Sequence, residues 1–190
     1  MIPSWLTMLR SAEPILRVLD PESYNGRLAP LFAFGRGRWR VLYGGDHQRP
    51  SGDSLLMDLE SSVNRGCKEP DLLPIYQKVI DNLRRVFSML ALDGDTATAH
   101  APKLEAWDIF IFVWHWGAAK DFIPLLRGNE PRQEAVAIYA HFLIMLRKLE
   151  NQWWLEGWAR YMMERVWTAL DEEHRLWIQW PIEELGWLPP

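Results

Sequence analysis

The chain predicts an all-α fold, on three observations. From about residue 53 onward, apolar side chains recur at helical rather than alternating intervals. Strand-like alternation occurs at one place only, Arg38 to Tyr43. Twelve Trp are present, and Trp153, Trp154, Trp158, Trp167, Trp177, Trp180 and Trp187 crowd the C-terminal end. Each indole brings a large apolar face and one N–H in need of a partner, so this end builds a rigid aromatic core or the wall of an apolar pocket.

The elements follow in order. Trp5, Met8, Leu9, Leu16 and Leu19 mark an N-terminal helix over residues 1–20, kinked at Pro14. Residues 21–52 read as an irregular loop, holding Gly26, Gly35, Gly37, Gly44, Gly45 and Gly52. A structureless loop this long is uncommon unless it binds something, closes over something or is disordered. Residues 53–190 read as the helical core, and the whole chain as a single domain. Asp53 is placed to cap a short helix carrying Leu55, Leu56, Leu59 and Val63.

Leu72 to Leu92 is the clearest amphipathic helix. Tyr76, Val79, Ile80, Leu83, Val86, Phe87 and Leu90 make its stripe, opposite Lys78, Asp81, Arg84 and Arg85. Asp93 and Asp95 flank Gly94 in an expected turn. Glu105 to Trp116 is apolar nearly all round, so burial is expected. Lys120 to Arg127 predicts a short helix before Gly128. Pro131 suits a first helical turn, and Ala135, Ile138, Phe142, Met145, Leu146 and Leu149 form the stripe that follows. Trp153 to Leu170 predicts a long helix, and Glu172 to Trp180 a last one stopped by Pro181.

Charge and cysteine usage exclude several classes. A net charge of −4 and a pI near 5.7 leave nothing that draws the whole molecule to nucleic acid. Cys67 is the sole cysteine, so no disulfide framework and no all-cysteine zinc site can form. The start of the chain lacks the pattern of a secretion signal. The longest apolar run, Ile109 to Trp114, is too short to span a bilayer. An intracellular, cytoplasmic protein is expected, nuclear if the chain is a piece of a regulator. No phosphate-cradling glycine loop, nucleophile elbow, dinucleotide fingerprint or zinc-protease helix occurs, so the expectation is no metal and no cofactor.

The candidate polar groups are few. Arg36, Arg38 and Arg40 alternate through the glycine-rich loop, where backbone freedom lets guanidinium groups converge on a carboxylate or carbonyl. A solvated loop is the plainer reading of the same residues. Asp108 and His115 lie seven positions apart on one face of the buried-looking helix, an acid–base pair or a core histidine with its hydrogen bond satisfied. His141 reads as structural. Asp171, Glu172, Glu173 and His174 are placed to favour a helix start through its dipole rather than to hold a metal. Trp107, Phe110, Ile111, Trp114, Phe142, Met145, Trp154, Trp158 and Met162, with Tyr43 from the loop, are the candidate walls of an apolar cavity. Plain core packing is the competing reading.

The segment AVAIYAHFLIMLRKLENQWWLEGWARYMMERVW, followed by EEHRLWIQWPIEELGW, adds a resemblance. It carries Ala140-His141-Phe142, Trp153-Trp154, Gly157-Trp158, Trp180-Pro181 and Gly186-Trp187 in that order. This pattern resembles the C-terminal regulatory domain of fungal binuclear zinc-cluster transcription factors, the sterol uptake control branch above all. The upstream WHWGAAKDFIPLLRGNEP and the opening WLTMLRS are similar too. The resemblance implies an all-α fold, a deep apolar pocket for a sterol, and a tendency to dimerise. Two departures stand beside it. That family's DNA-binding module needs six cysteines, and its regulatory domain has further helices before the segment matching Trp5 to Arg10.

Three functions therefore compete. The leading expectation is a cofactor-free cyclase, pericyclase or isomerase acting on a terpenoid or polyketide. Its shaped apolar cavity would hold the substrate in a reactive fold, with His115, Asp108, Arg38 and Arg40 as catalytic candidates. The alternative is a non-catalytic sterol- or terpenoid-binding regulatory domain. The third is a protein that dimerises with a full-length regulator and inhibits it. The expected partners are a hydrophobic small molecule and a second copy of the chain, with no direct binding of nucleic acid.

Overall fold

The computed structural model describes residues 26, 54–95, 121–127, 130–148, 150, 153 and 155–190. The expected N-terminal helix, almost all of the 21–52 loop with its one strand-like stretch, the Asp53 cap and the Glu105 to Trp116 helix lie outside them.

The described residues are all-α, as the spacing predicts: they hold helices and turns and no strand. The helices are α1 (Ser54–Gly66), α2 (Leu73–Asp95), α3 (Gln133–Lys148), α4 (Trp158–Ala169), α5 (Glu172–Arg175) and α6 (Gln179–Leu185). Short 3₁₀ turns at Pro70–Leu72, Ile123–Leu126 and Leu176–Ile178 join or precede them. No helix among the described residues is long and apolar enough to cross a membrane.

The stripes land where helical geometry puts them. Leu56, Leu59 and Val63 bury one seam of α1. Tyr76, Val79, Ile80, Leu83 and Val86 bury one face of α2, while Lys78 and Asp81 stay exposed. Arg84 departs from the expected outer face. It is only 14% exposed and reaches across to Glu60 of α1 at 2.7 Å, while also pairing with Asp81. Its long stem covers apolar surface and its head ties α1 to α2. The α2 helix runs on to Asp95, through Gly94, where a turn was expected.

The largest departure is α3. Its sequence marks a one-sided stripe, yet every residue from Ala135 to Leu146 is buried. A helix apolar all round must be enclosed by its neighbours. Here α4 packs along it most extensively, with α2 and α6 also against it and α1 and α5 touching it. Small Ala135, Ala137 and Ala140 share its surface with Phe142 and Leu143, which lets neighbours approach from several sides.

Three boundaries correct the spacing argument. Helix α4 begins at Trp158 rather than Trp153, because Gly157 sits at φ 75° and ψ −6°, a left-handed conformation that cannot continue a right-handed helix. Pro181 does not end the last helix. It lies in the first turn of α6, where the missing N–H has no intrahelical partner to lose. The stop is Gly186 at φ 55°: its N–H donates to the Glu183 carbonyl at 3.0 Å, and Trp187 N–H donates to Ile182 at 3.1 Å. That pair of bonds satisfies carbonyls the helix leaves open and sets the Trp187 ring 5.8 Å from Trp167. Proline also shapes the segment before α3. Within the stretch expected to be a helix before Gly128, Ile123–Leu126 is a 3₁₀ turn with Pro124 near its start, and α3 itself opens at Gln133, two residues past Pro131.

Side chains tie these ends together. Gln133 donates to the Ala169 carbonyl at 3.0 Å and accepts from Asp171 N–H at 2.9 Å, so one amide joins the start of α3 to the turn between α4 and α5. Glu150 accepts from Ala159 N–H at 3.1 Å and from Arg147 at 2.6 Å. It supplies the anionic cap that Gly157 cannot give α4. The Asp171 carboxylate accepts from His174 N–H at 2.9 Å and caps α5, as the acidic cluster suggested.

At the end of α1 the Trp177 indole lies directly on Gly66. A Cβ built there would stand 2.6 Å from Trp177 Cη2 and 2.9 Å from Cζ2. Gly66→Ala is therefore expected to destabilise the protein by about 1–3 kcal/mol, despite alanine's better helix propensity, because a rigid ring system must move. Thermal unfolding checks this. Adding Trp177→Leu should recover part of the loss, and strictly additive effects would show that the contact carries none of it.

Candidate functional site

The cavity candidates fall into two groups. Phe142 and Met145 of α3 and Met162 of α4 are buried side by side with the main core, each 2% exposed or less. Trp158 opens α4 and packs against that core, its ring edge-on to Tyr161 at 6.1 Å. These four share the α3–α4 layer. Tyr43, Trp107, Phe110, Ile111, Trp114 and Trp154 lie outside the described residues, as do His115, Asp108, Arg38 and Arg40.

Among the polar groups of the described core, spacing singles out His141 alone, as structural. His141 is 2% exposed and its Nδ1 lies 2.9 Å from the Ala137 carbonyl one turn back. That oxygen can only accept, so Nδ1 carries the proton and donates. Its ring stands 5.7 Å from Trp180. Burial lowers its pKa to about 4, against a smaller upward pull from the hydrogen bond to Ala137. A histidine held neutral in this way is a core residue, the structural role its position predicts. Burial also pushes the Tyr139 phenol well above its usual value.

A second polar group lies at the junction of α1, α2 and α3. Tyr76 is fully buried in the first turn of α2, and its hydroxyl has no hydrogen-bond partner among the described residues. Burial, then the Glu134 carboxylate and the Cys67 thiol, hold that phenol in its protonated form. Asn82, further along α2, is 6% exposed with its amide nitrogen also unpaired among the described residues. In the sequence Tyr76 reads only as one more member of an apolar stripe. Nothing in its spacing shows that its hydroxyl ends up away from water.

Near the surface, His174 Nδ1 lies 2.7 Å from Asp171 and its ring meets Trp177 at 4.3 Å, tilted by 50°. Burial raises the Asp171 pKa, but hydrogen bonds from the His174 backbone and side chain outweigh it, and the net shift is downward. Among the described residues, no group of three or more His, Cys, Asp or Glu could hold a metal ion.

One relative gives this arrangement a context. The chain is similar to a fungal zinc-cluster regulator. It is 22% identical over 184 residues to a Zn(2)-C6 fungal-type transcription factor of Gibberella zeae. The alignment covers 90% of this chain but 36% of that protein, so the chain spans about a third of the relative's length. No family model matches the chain, and no solved structure matches it. The zinc-cluster likeness read from the C-terminal motifs therefore extends over most of these residues. The six cysteines of a binuclear zinc cluster are not among the 190 residues, since Cys67 is the single one.

Proposed function

We propose that this chain is a non-catalytic, ligand-binding regulatory domain of the fungal zinc-cluster type, taking a sterol or terpenoid into its helical core. The likeness to a transcription factor over 90% of the chain carries the reading. The C-terminal Trp-Trp, Gly-Trp, Trp-Pro and Gly-Trp pairs support its sterol branch. An all-α body with an apolar, aromatic-rich interior supports an apolar ligand. Homodimerisation and a nuclear or cytoplasmic location belong to the same proposal. The catalytic candidates of the cyclase or pericyclase expectation lie outside the described residues.

Dehydroergosterol tests the reading, because its emission is excited by energy transfer from Trp. Saturable transfer with a micromolar or tighter Kd, and recovery of the sterol unchanged, is the expected result. Non-saturable signal would remove the ligand-binding proposal, and a converted product would restore the enzyme. Light scattering at micromolar concentration checks the dimer, and a monomer mass removes that part.

A further inference from the structure

Helix α4 turns Ala159, Met162, Met163 and Val166 into the core and keeps a second face outside. Arg160, Tyr161, Glu164 and Thr168 are all exposed. Helical geometry sets them within about 100° of one another around the axis, so they form one surface. Tyr161 is its apolar member and is already held in place. Its ring, 52% exposed, lies edge-on to Trp158 at 6.1 Å. The Arg165 guanidinium stands 5.6 Å from the same ring and donates to the hydroxyl at 3.1 Å. Trp, Tyr and Arg are the side chains that most often anchor protein interfaces, and a ring fixed beforehand loses little freedom on docking. Trp153, 85% exposed, stands in the connection just before this helix.

The charges say what fits there. Arg160 and Glu164 lie one turn apart, and neither pairs with a described residue. An arginine four positions before a glutamate is the weaker orientation for a pair within one helix, so both charges stay available to a partner. A face with one positive and one negative group a turn apart is complementary to itself. Two copies of α4 laid antiparallel, with a twofold axis level with Met162, bring each Arg160 opposite Glu164 of the partner subunit. Laid parallel, like charges would meet. We infer that the exposed face of α4 is the interface of a homodimer, antiparallel about a twofold axis, with Tyr161 beside the axis and two Arg160–Glu164 pairs across it. This rests on the dimer proposed above and names the surface that forms it.

Sedimentation velocity over a concentration series tests it on the full chain. Glu164→Arg sets arginine against arginine twice and should weaken the dimer about tenfold or more, and Arg160→Glu should do the same. The double swap, Arg160→Glu with Glu164→Arg, puts opposite charges back across the axis and should return the dimer to near wild-type strength. Tyr161→Ala removes the anchor without a charge; it should also weaken the dimer, and it serves if a reversal does not fold. The Tm should hold in all of them, since the three side chains are exposed. If these variants keep wild-type dimer strength, or the double swap restores nothing, the dimer uses another surface and the inference is overturned while the dimer stands. A wild type that is monomeric at micromolar concentration overturns both.

Discussion

Phe142→Ala is expected to lower the unfolding free energy by about 3–5 kcal/mol, the range for truncating an aromatic in a closed core. Phe142 is 1% exposed on a helix enclosed from Ala135 to Leu146, with Tyr139 beside it at a ring distance of 5.6 Å. Removing the ring leaves a void that α4 and α2 cannot fill without moving the helix they share. Urea unfolding measures the loss, with the m-value expected to hold. The size of the effect separates two roles of this residue. A ring packed on all sides loses the full amount, whereas a ring lining a pocket has fewer neighbours to lose. A change under about 1.5 kcal/mol would make Phe142 a pocket wall, and added dehydroergosterol should then stabilise the wild type more than the variant.

Acid should destabilise the protein through His141. An unfolded histidine titrates near 6.5, and burial lowers the folded value to about 4. Above pH 6.5 both states are neutral there, and the contribution is fully present. As the pH falls from 6.5 to 4, the unfolded state gains a proton that the folded state excludes, so stability drops by about 1.4 kcal/mol per unit. The His141 contribution totals about 3 kcal/mol and levels off below pH 4. His141→Asn keeps an amide N–H where Nδ1–H stands and removes the titration. Unfolding free energies of the two proteins, compared between pH 7 and 4, should converge as the pH falls, after a neutral-pH offset from the smaller side chain. Parallel curves would mean that His141 is protonated in place or reached by water.

The all-α class was legible in the sequence because helical burial repeats every three to four residues, and α1 and α2 each bury the seam their spacing marks. Local stops were legible only where chemistry is local. Asp171 caps α5 through its own carboxylate, a short-range bond that a run of acids before a histidine signals. The cap of α4 was not legible, because Glu150 reaches it from nine residues upstream around a left-handed Gly157. Pro181 misled for a related reason: proline is expelled from a helix interior but welcome in its first turn, and which turn it occupies depends on where the preceding 3₁₀ segment ends.

The candidate site divides in the same way. The resemblance to a zinc-cluster regulator was legible from the order of the C-terminal aromatic pairs, since a motif is a property of the chain alone. Tertiary structure decided what spacing cannot carry. It enclosed α3 on every side, because burial of the positions off its marked stripe depends on the other helices that pack around it. It also turned Tyr76 from one apolar stripe member into a buried hydroxyl without a partner among the described residues, because a hydroxyl's partner is set by whichever neighbour packs over it, not by the residues next to it in the chain.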